Sequence, residues 1–108
     1  MDSAEYRAQV ARDMSEKVLQ ERVRLLCRGL GWRYYHTHRS QHSPAGFPDV
    51  CAVRGSRLIF AELKTERGKV TPEQTAWLID LGMALGSDRV YVWRPSHLLD
   101  GTIEEALR

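Results

Sequence analysis

The sequence predicts an α/β domain in which a mixed sheet is flanked by helices. Composition is the first reason. The chain has 108 residues, 43% hydrophobic and 28% charged, which suits a single globular core and is too short for two. The second is the order of the periodic segments, α-β-β-β-α-β with a short final helix. The third is a Gly55-Ser56 pair between two β-prone runs, the signal of a two-residue type II′ hairpin.

Residues 3–14 read as a helix or a frayed arm, with Tyr6, Val10 and Met14 at helical spacing. A firmer helix spans about Ser15 to Gly29. Asp13 and Glu16 resemble a capping box, Gly29 or Gly31 supplies the stop, and Leu19, Val23, Leu26 and Leu30 form the apolar stripe. Trp32 to His38 reads as a strand, and residues 39–47 as a polar loop bearing Pro and Gly. Strands follow at Asp49–Arg54 and Arg57–Lys64. Thr71 caps the next helix, with Pro72 at its first position and Gln74 at its third; Trp77, Leu78, Leu81, Ala84 and Leu85 carry it to Gly86. A last strand covers Arg89–Arg94, and Pro95-Ser96 leads into the final helix.

No apolar run approaches the roughly 18 residues of a membrane span, and the N-terminus lacks an apolar signal core. Cys27 and Cys51 are too few for a disulfide scaffold and lack metal-ligand spacing, so a reducing cytoplasm is expected. The net charge of +2 excludes a polycation that coats nucleic acid by charge alone. Arg outnumbers Lys 13 to 3, which reflects either coding bias or the use of guanidinium forks on phosphate.

The hairpin fixes a register in which partners across it sum to 111, so that Asp49 faces Glu62 and Lys64 shares their face. Val50, Ala52, Ile59, Ala61 and Leu63 line the opposite face, and both faces are apolar enough for central strands covered on both sides. Two carboxylates directly opposed, with Cβ atoms roughly 5 Å apart, repel unless they share a proton, bind a divalent cation or sit at a solvated sheet end. Lys64 offsets one charge in the last case. Glu16 lies on the edge of the first helix's stripe and is the helix carboxylate placed to meet the sheet, though a capping role explains it too.

The run Pro48-Asp49, followed on the next strand by Glu62-Leu63-Lys64, resembles the PD-(D/E)XK nuclease motif. With the surrounding GFPDV…FAELKTERGKVTPEQTAWL, the chain resembles the virus-type replication–repair nuclease (VRR-NUC) branch over roughly residues 16–94, within a single domain 1–108 whose core is about 15–94. The resemblance implies a restriction-endonuclease-like core and an Mg²⁺- or Mn²⁺-dependent DNA endonuclease with no organic cofactor. In that reading Asp49, Glu62 and the Leu63 carbonyl bind the metal, Glu16 completes the site directly or through water, and Lys64 orients the attacking water or steadies transition-state charge. Gln74 matches a glutamine near the site, although helix capping accounts for it equally.

The same resemblance implies a phage or mobile-element enzyme acting on branched DNA such as four-way junctions, in replication, recombination or repair in the host cytoplasm. The short core argues for a homodimer, with Tyr6, Val10, Met14, Leu98, Leu99 and Ile103 either at its interface or packed on their own sheet. His36, Arg39, Ser40, Ser43 and Lys69 are candidate DNA contacts, with plain surface as the alternative. Zinc at His36, His38 and His42 lacks an evident fourth ligand. Trp32, Trp77 and Trp93 read as core ahead of the alternative of base-stacking platforms. A catalytically inactive nucleic-acid-binding module and a nuclease acting on RNA are the alternative functions.

Overall fold

The structure, a computed structural model, describes residues 1–38 and 41–108. It is an α+β fold built on one four-stranded mixed sheet. In chain order the elements are α1 (Ser3–Asp13), α2 (Glu16–Gly29), β1 (Arg33–His36), β2 (Val50–Arg54), β3 (Arg57–Leu63), α3 (Pro72–Leu85), a 3₁₀ turn at Ser87–Arg89, β4 (Val90–Trp93), α4 (Pro95–Leu99) and α5 (Thr102–Leu107). Strand order is β1-β2-β3-β4; the first three are antiparallel, and β4 joins β3 in parallel after the α3 crossover. No helix among the described residues is long and apolar enough to cross a membrane.

The β2–β3 pairing has the expected register, from Arg54↔Arg57 to Val50↔Ala61. Gly55 has φ +61 and no non-glycine residue described has positive φ, which is the II′ pattern at this turn. Val50, Ala52, Ile59, Ala61 and Leu63 are all buried, against Leu19, Val23 and Cys27 of α2. The centre of the α2 stripe is therefore 19-23-27, with Leu26 and Leu30 packed at its flank. The opposite face is covered only in part. Phe60 and Glu62 are buried, whereas Val53 is exposed, because α3 lies over the β3–β4 side and leaves the far end of β2 open. The expectation of strands covered on both sides thus fails for β2.

Two local expectations also change. Ser15, not Asp13, caps α2: its Oγ accepts the Val18 N–H at 3.1 Å, while Asp13 closes α1 and accepts from Gln9. The terminal segments are not loose arms. Met14 and Leu98 pack on the core, Ile103 is fully buried, and α1 rests on α4; Tyr6 remains exposed.

Part of the arginine excess has a structural use. Arg54 donates to the carbonyls of Leu30 and Leu107, both at 2.9 Å, and Arg57 to those of Ala106 and Arg108. Both guanidinium groups lie over the Trp32 ring, whose Nε1 also donates to Leu107. Two like charges opposed across the hairpin are tolerated because each is turned to the electronegative C-terminus of a helix.

Candidate active site

The site forms where β2 begins and β3 ends. Backbone pairing stops at Val50↔Ala61, and the next contact is made by a side chain: Asp49 Oδ2 accepts the Leu63 N–H at 2.8 Å. The Asp49 carbonyl meanwhile accepts from Thr37 at 2.7 Å, which fixes the residue between β1 and β3. Its carboxylate is thereby held beside Glu62.

Glu62 is buried, with 1% of its surface exposed. Its Oε1 accepts from Gln74 Nε2 at 3.5 Å, and its Oε2 is buried with no hydrogen-bond partner. Burial, followed by the close approach of the Asp49 carboxylate, pushes the Glu62 carboxyl up to about 9; Lys64 opposes this and Glu16 adds slightly to it. Without a cation the carboxyl therefore keeps its proton at neutral pH.

Lys64 continues the parallel pairing through its N–H, which donates to the Trp93 carbonyl at 3.0 Å. The turn after it is held by Arg94, whose Nη1 donates to the carbonyls of Thr65, Glu66 and Gly68 at 2.7–3.2 Å. Gln74 has both of the roles its sequence position allows. It completes a reciprocal capping box with Thr71 while its amide reaches Glu62.

These groups open on a cavity of about 590 Å³, whose lining includes Asp49, Glu62, Lys64 and Gln74 together with Phe47 and Trp77. Glu73 lines it as well, so the wall carries the carboxylates Asp49, Glu62 and Glu73 against the single ammonium of Lys64 among the described residues. Such a wall repels a phosphate unless a cation enters first. Two adjacent carboxylates, one with an orphaned buried oxygen, supply the hard oxygen donors that suit Mg²⁺ or Mn²⁺, so the residues fit the implied ion. Among the described residues no group of three or more His, Cys, Asp or Glu side chains converges into a metal cage. The fit therefore rests on the pair and on backbone or water oxygen.

The other sequence candidates fall in different places. Glu16, the first residue of α2, is half-buried and lies off the cavity wall, yet its charge acts on Glu62. Ser43 lines the cavity. His36 sits half-buried in β1, edge-on to His38 at 5.6 Å, and it is His38 and Thr37 that reach the cavity. Lys69 is exposed and away from the cavity. Arg39 and Ser40 lie outside the described residues.

Sequence reading misses Phe47 and ranks core ahead of a base-stacking platform for Trp77, which is half-buried on the cavity with Phe47 edge-on to it at 5.0 Å. The three-residue step from Gln74 to Trp77 on one helix face was the signal available. It also missed Arg94 as the anchor of the turn after Lys64, a contact that no spacing reveals.

Gly46 fixes the loop that forms this wall. Its φ is +97, and a Cβ there would lie 2.6 Å from the Glu73 carbonyl carbon and oxygen. Gly46→Ala is expected to destabilise by at least about 2 kcal/mol, from left-handed strain plus backbone collision. Gly55→Ala, with φ +61 and open space around it, should cost less. Thermal melts of the two variants check the ranking.

Comparison of the chain with protein-family models, with curated proteins and with solved structures found no match.

Proposed function

We propose that the protein is a metal-dependent nuclease with a PD-(D/E)XK-type core of the VRR-NUC branch, hydrolysing phosphodiester bonds in DNA. The observation that carries the reading is the Asp49–Glu62 pair, with one buried carboxylate oxygen unsatisfied, beside Lys64 in a cavity. Asp49, Glu62 and the Leu63 carbonyl would hold Mg²⁺ or Mn²⁺, with Glu16 contributing through water. When bound, the ion supplies Lewis acidity toward phosphate and a water of lowered pKa.

The chain's own residues supply the rest. Lys64 lines the cavity and would present a compact ammonium where negative charge develops on the phosphate. Gln74 fixes the Glu62 carboxylate through Oε1 and leaves Oε2 for the cation. Arg94 holds the turn that follows Lys64, so the backbone that carries the ammonium is fixed.

The substrate class is branched DNA cut by a homodimer. The surface offered to a second copy is α3 and the neighbouring edge strand. Thr75, Leu78, Ile79, Gly82 and Met83 recur at helical spacing along a groove completed by Val90, Tyr91 and Val92. Ile79 is 58% and Met83 84% exposed. The groove carries no charge among its lining residues, so two copies related by a two-fold axis meet without like-charge opposition. Light scattering should give about twice the 12.4 kDa chain mass, and Met83→Glu should return the monomer. A parent protein of monomer mass at micromolar concentration contradicts the dimer.

Substrate class is tested with single-stranded, duplex, flap and four-way DNA and with RNA counterparts, each with Mg²⁺, Mn²⁺ or EDTA. Metal-dependent cleavage with preference for branched DNA supports the reading. Cleavage of RNA alone would reassign the substrate, and binding without cleavage would mark an inactive module.

A further inference from the structure

We propose that the aromatic side of the active-site cavity is a binding site for one unpaired nucleobase next to the scissile phosphate. The inference rests on the nuclease reading and specifies its substrate: strands whose nucleotide at the cut is unpaired. The cavity lining brings two chemistries together, the charged groups of Asp49, Glu62 and Lys64 and the adjacent aromatic rings of Phe47 and Trp77. A nucleotide has two matching ends, an anionic phosphate and a flat aromatic base. The volume of about 590 Å³ lies in the range of small-molecule pockets, whereas a duplex segment is far larger.

The exposure of the aromatic wall separates it from the core. Trp32 and Trp93 are 5% and 1% exposed, as packing residues are, but Trp77 stays half-buried with its ring on the cavity. Phe47 braces it, edge-on to Trp77 at 5.0 Å and to Phe60 at 5.7 Å. The loop bearing Phe47 is pinned to the first turn of α3 at Gly46, which leaves no room for a side chain there. The wall is thus preorganised rather than assembled on binding. Thr37 also lines the cavity.

Stacking on an aromatic side chain is tolerant of sequence, because every base has a π-face. The site therefore selects nucleic-acid structure rather than sequence. A paired nucleotide must leave its stack to enter, at a cost that an already unpaired one at a branch or overhang avoids.

The first test uses tryptophan fluorescence, independent of cleavage. Deoxyadenosine 5′-monophosphate and deoxyribose 5-phosphate are titrated in the presence of Mg²⁺. The base-bearing probe is expected to quench Trp77 and to bind roughly tenfold or more tightly, the scale of one stacked base. Trp77→Leu should remove this preference, and Trp77→Phe should retain part of it. Equal binding of the two probes, binding of neither, or a preference that survives Trp77→Leu overturns the proposal.

The second test compares cleavage of a flap substrate carrying either an intact or an abasic nucleotide beside the cut, in the parent and in Trp77→Leu. The parent should favour the intact strand and the variant should not. Should the parent cleave both equally, the base site is wrong while the nuclease reading stands. Should the parent cleave nothing and yet bind the base-bearing probe, the nuclease reading fails and a nucleotide-binding site remains. A Trp77→Leu chain that fails to fold leaves Trp77→Phe and the parent's intact-to-abasic ratio to decide.

Discussion

Glu62→Gln is expected to abolish metal-dependent cleavage and at the same time to stabilise the metal-free protein above neutral pH. The substitution keeps the shape of the side chain and the acceptor that faces Gln74, but removes the buried charge. Folded Glu62 holds its proton up to about pH 9, whereas the unfolded side chain releases it near 4.5. Between those values the folded state binds the extra proton. Stability of the metal-free parent is then fullest below the unfolded value and falls as pH rises toward about 9, by up to about 1.4 kcal/mol per unit. Glu62→Gln should flatten that slope. Adding Mn²⁺ should raise the parent's melting temperature most at high pH and leave the variant's unchanged. Melts at several pH values, with and without Mn²⁺, check both halves; a parent whose stability rises with pH across this window contradicts the burial argument.

Lys64→Ala should lower the cleavage rate by on the order of 10² or more while sparing metal affinity and fold, because the ammonium acts on developing charge rather than on the cation. The Lys64 N–H that pairs with Trp93 belongs to the backbone and survives the substitution. Lys64→Arg should rescue poorly, since a planar fork does not replace a compact ammonium against the same wall. Single-turnover rates at saturating metal separate the effect from binding. A rate equal to the parent's removes Lys64 from the chemistry.

The centre of the fold was legible in the sequence because its determinants are local. Gly55-Ser56 set the hairpin, the hairpin set the register, and the register set Asp49 next to Glu62. The α3 cap was readable for the same reason, since Thr71, Pro72 and Gln74 carry their geometry in their spacing. What escaped depends on contacts far apart in the chain. Arg94 reaches back 26 to 29 residues to the turn after Lys64, and Arg54 reaches 53 residues forward to α5. Periodicity cannot show these. Nor could it show that α3, apolar almost all round, would bury Gln74 and leave Ile79 and Met83 exposed, because burial depends on where the crossover helix lands. Ser15 displaced Asp13 as the cap because two helices meet there, and the residue nearer the second helix takes the role.

The most direct measurement is cleavage of one labelled four-way junction by the parent and by Glu62→Gln, prepared identically, with Mg²⁺, with Mn²⁺ and with EDTA. The two proteins differ only at the buried carboxyl, so a contaminating nuclease would act equally in both preparations. The account predicts strand cleavage by the parent with either metal, none with EDTA, and none by Glu62→Gln under any condition. Cleavage by the variant at the parental rate, or no cleavage by the parent with either ion, would contradict it.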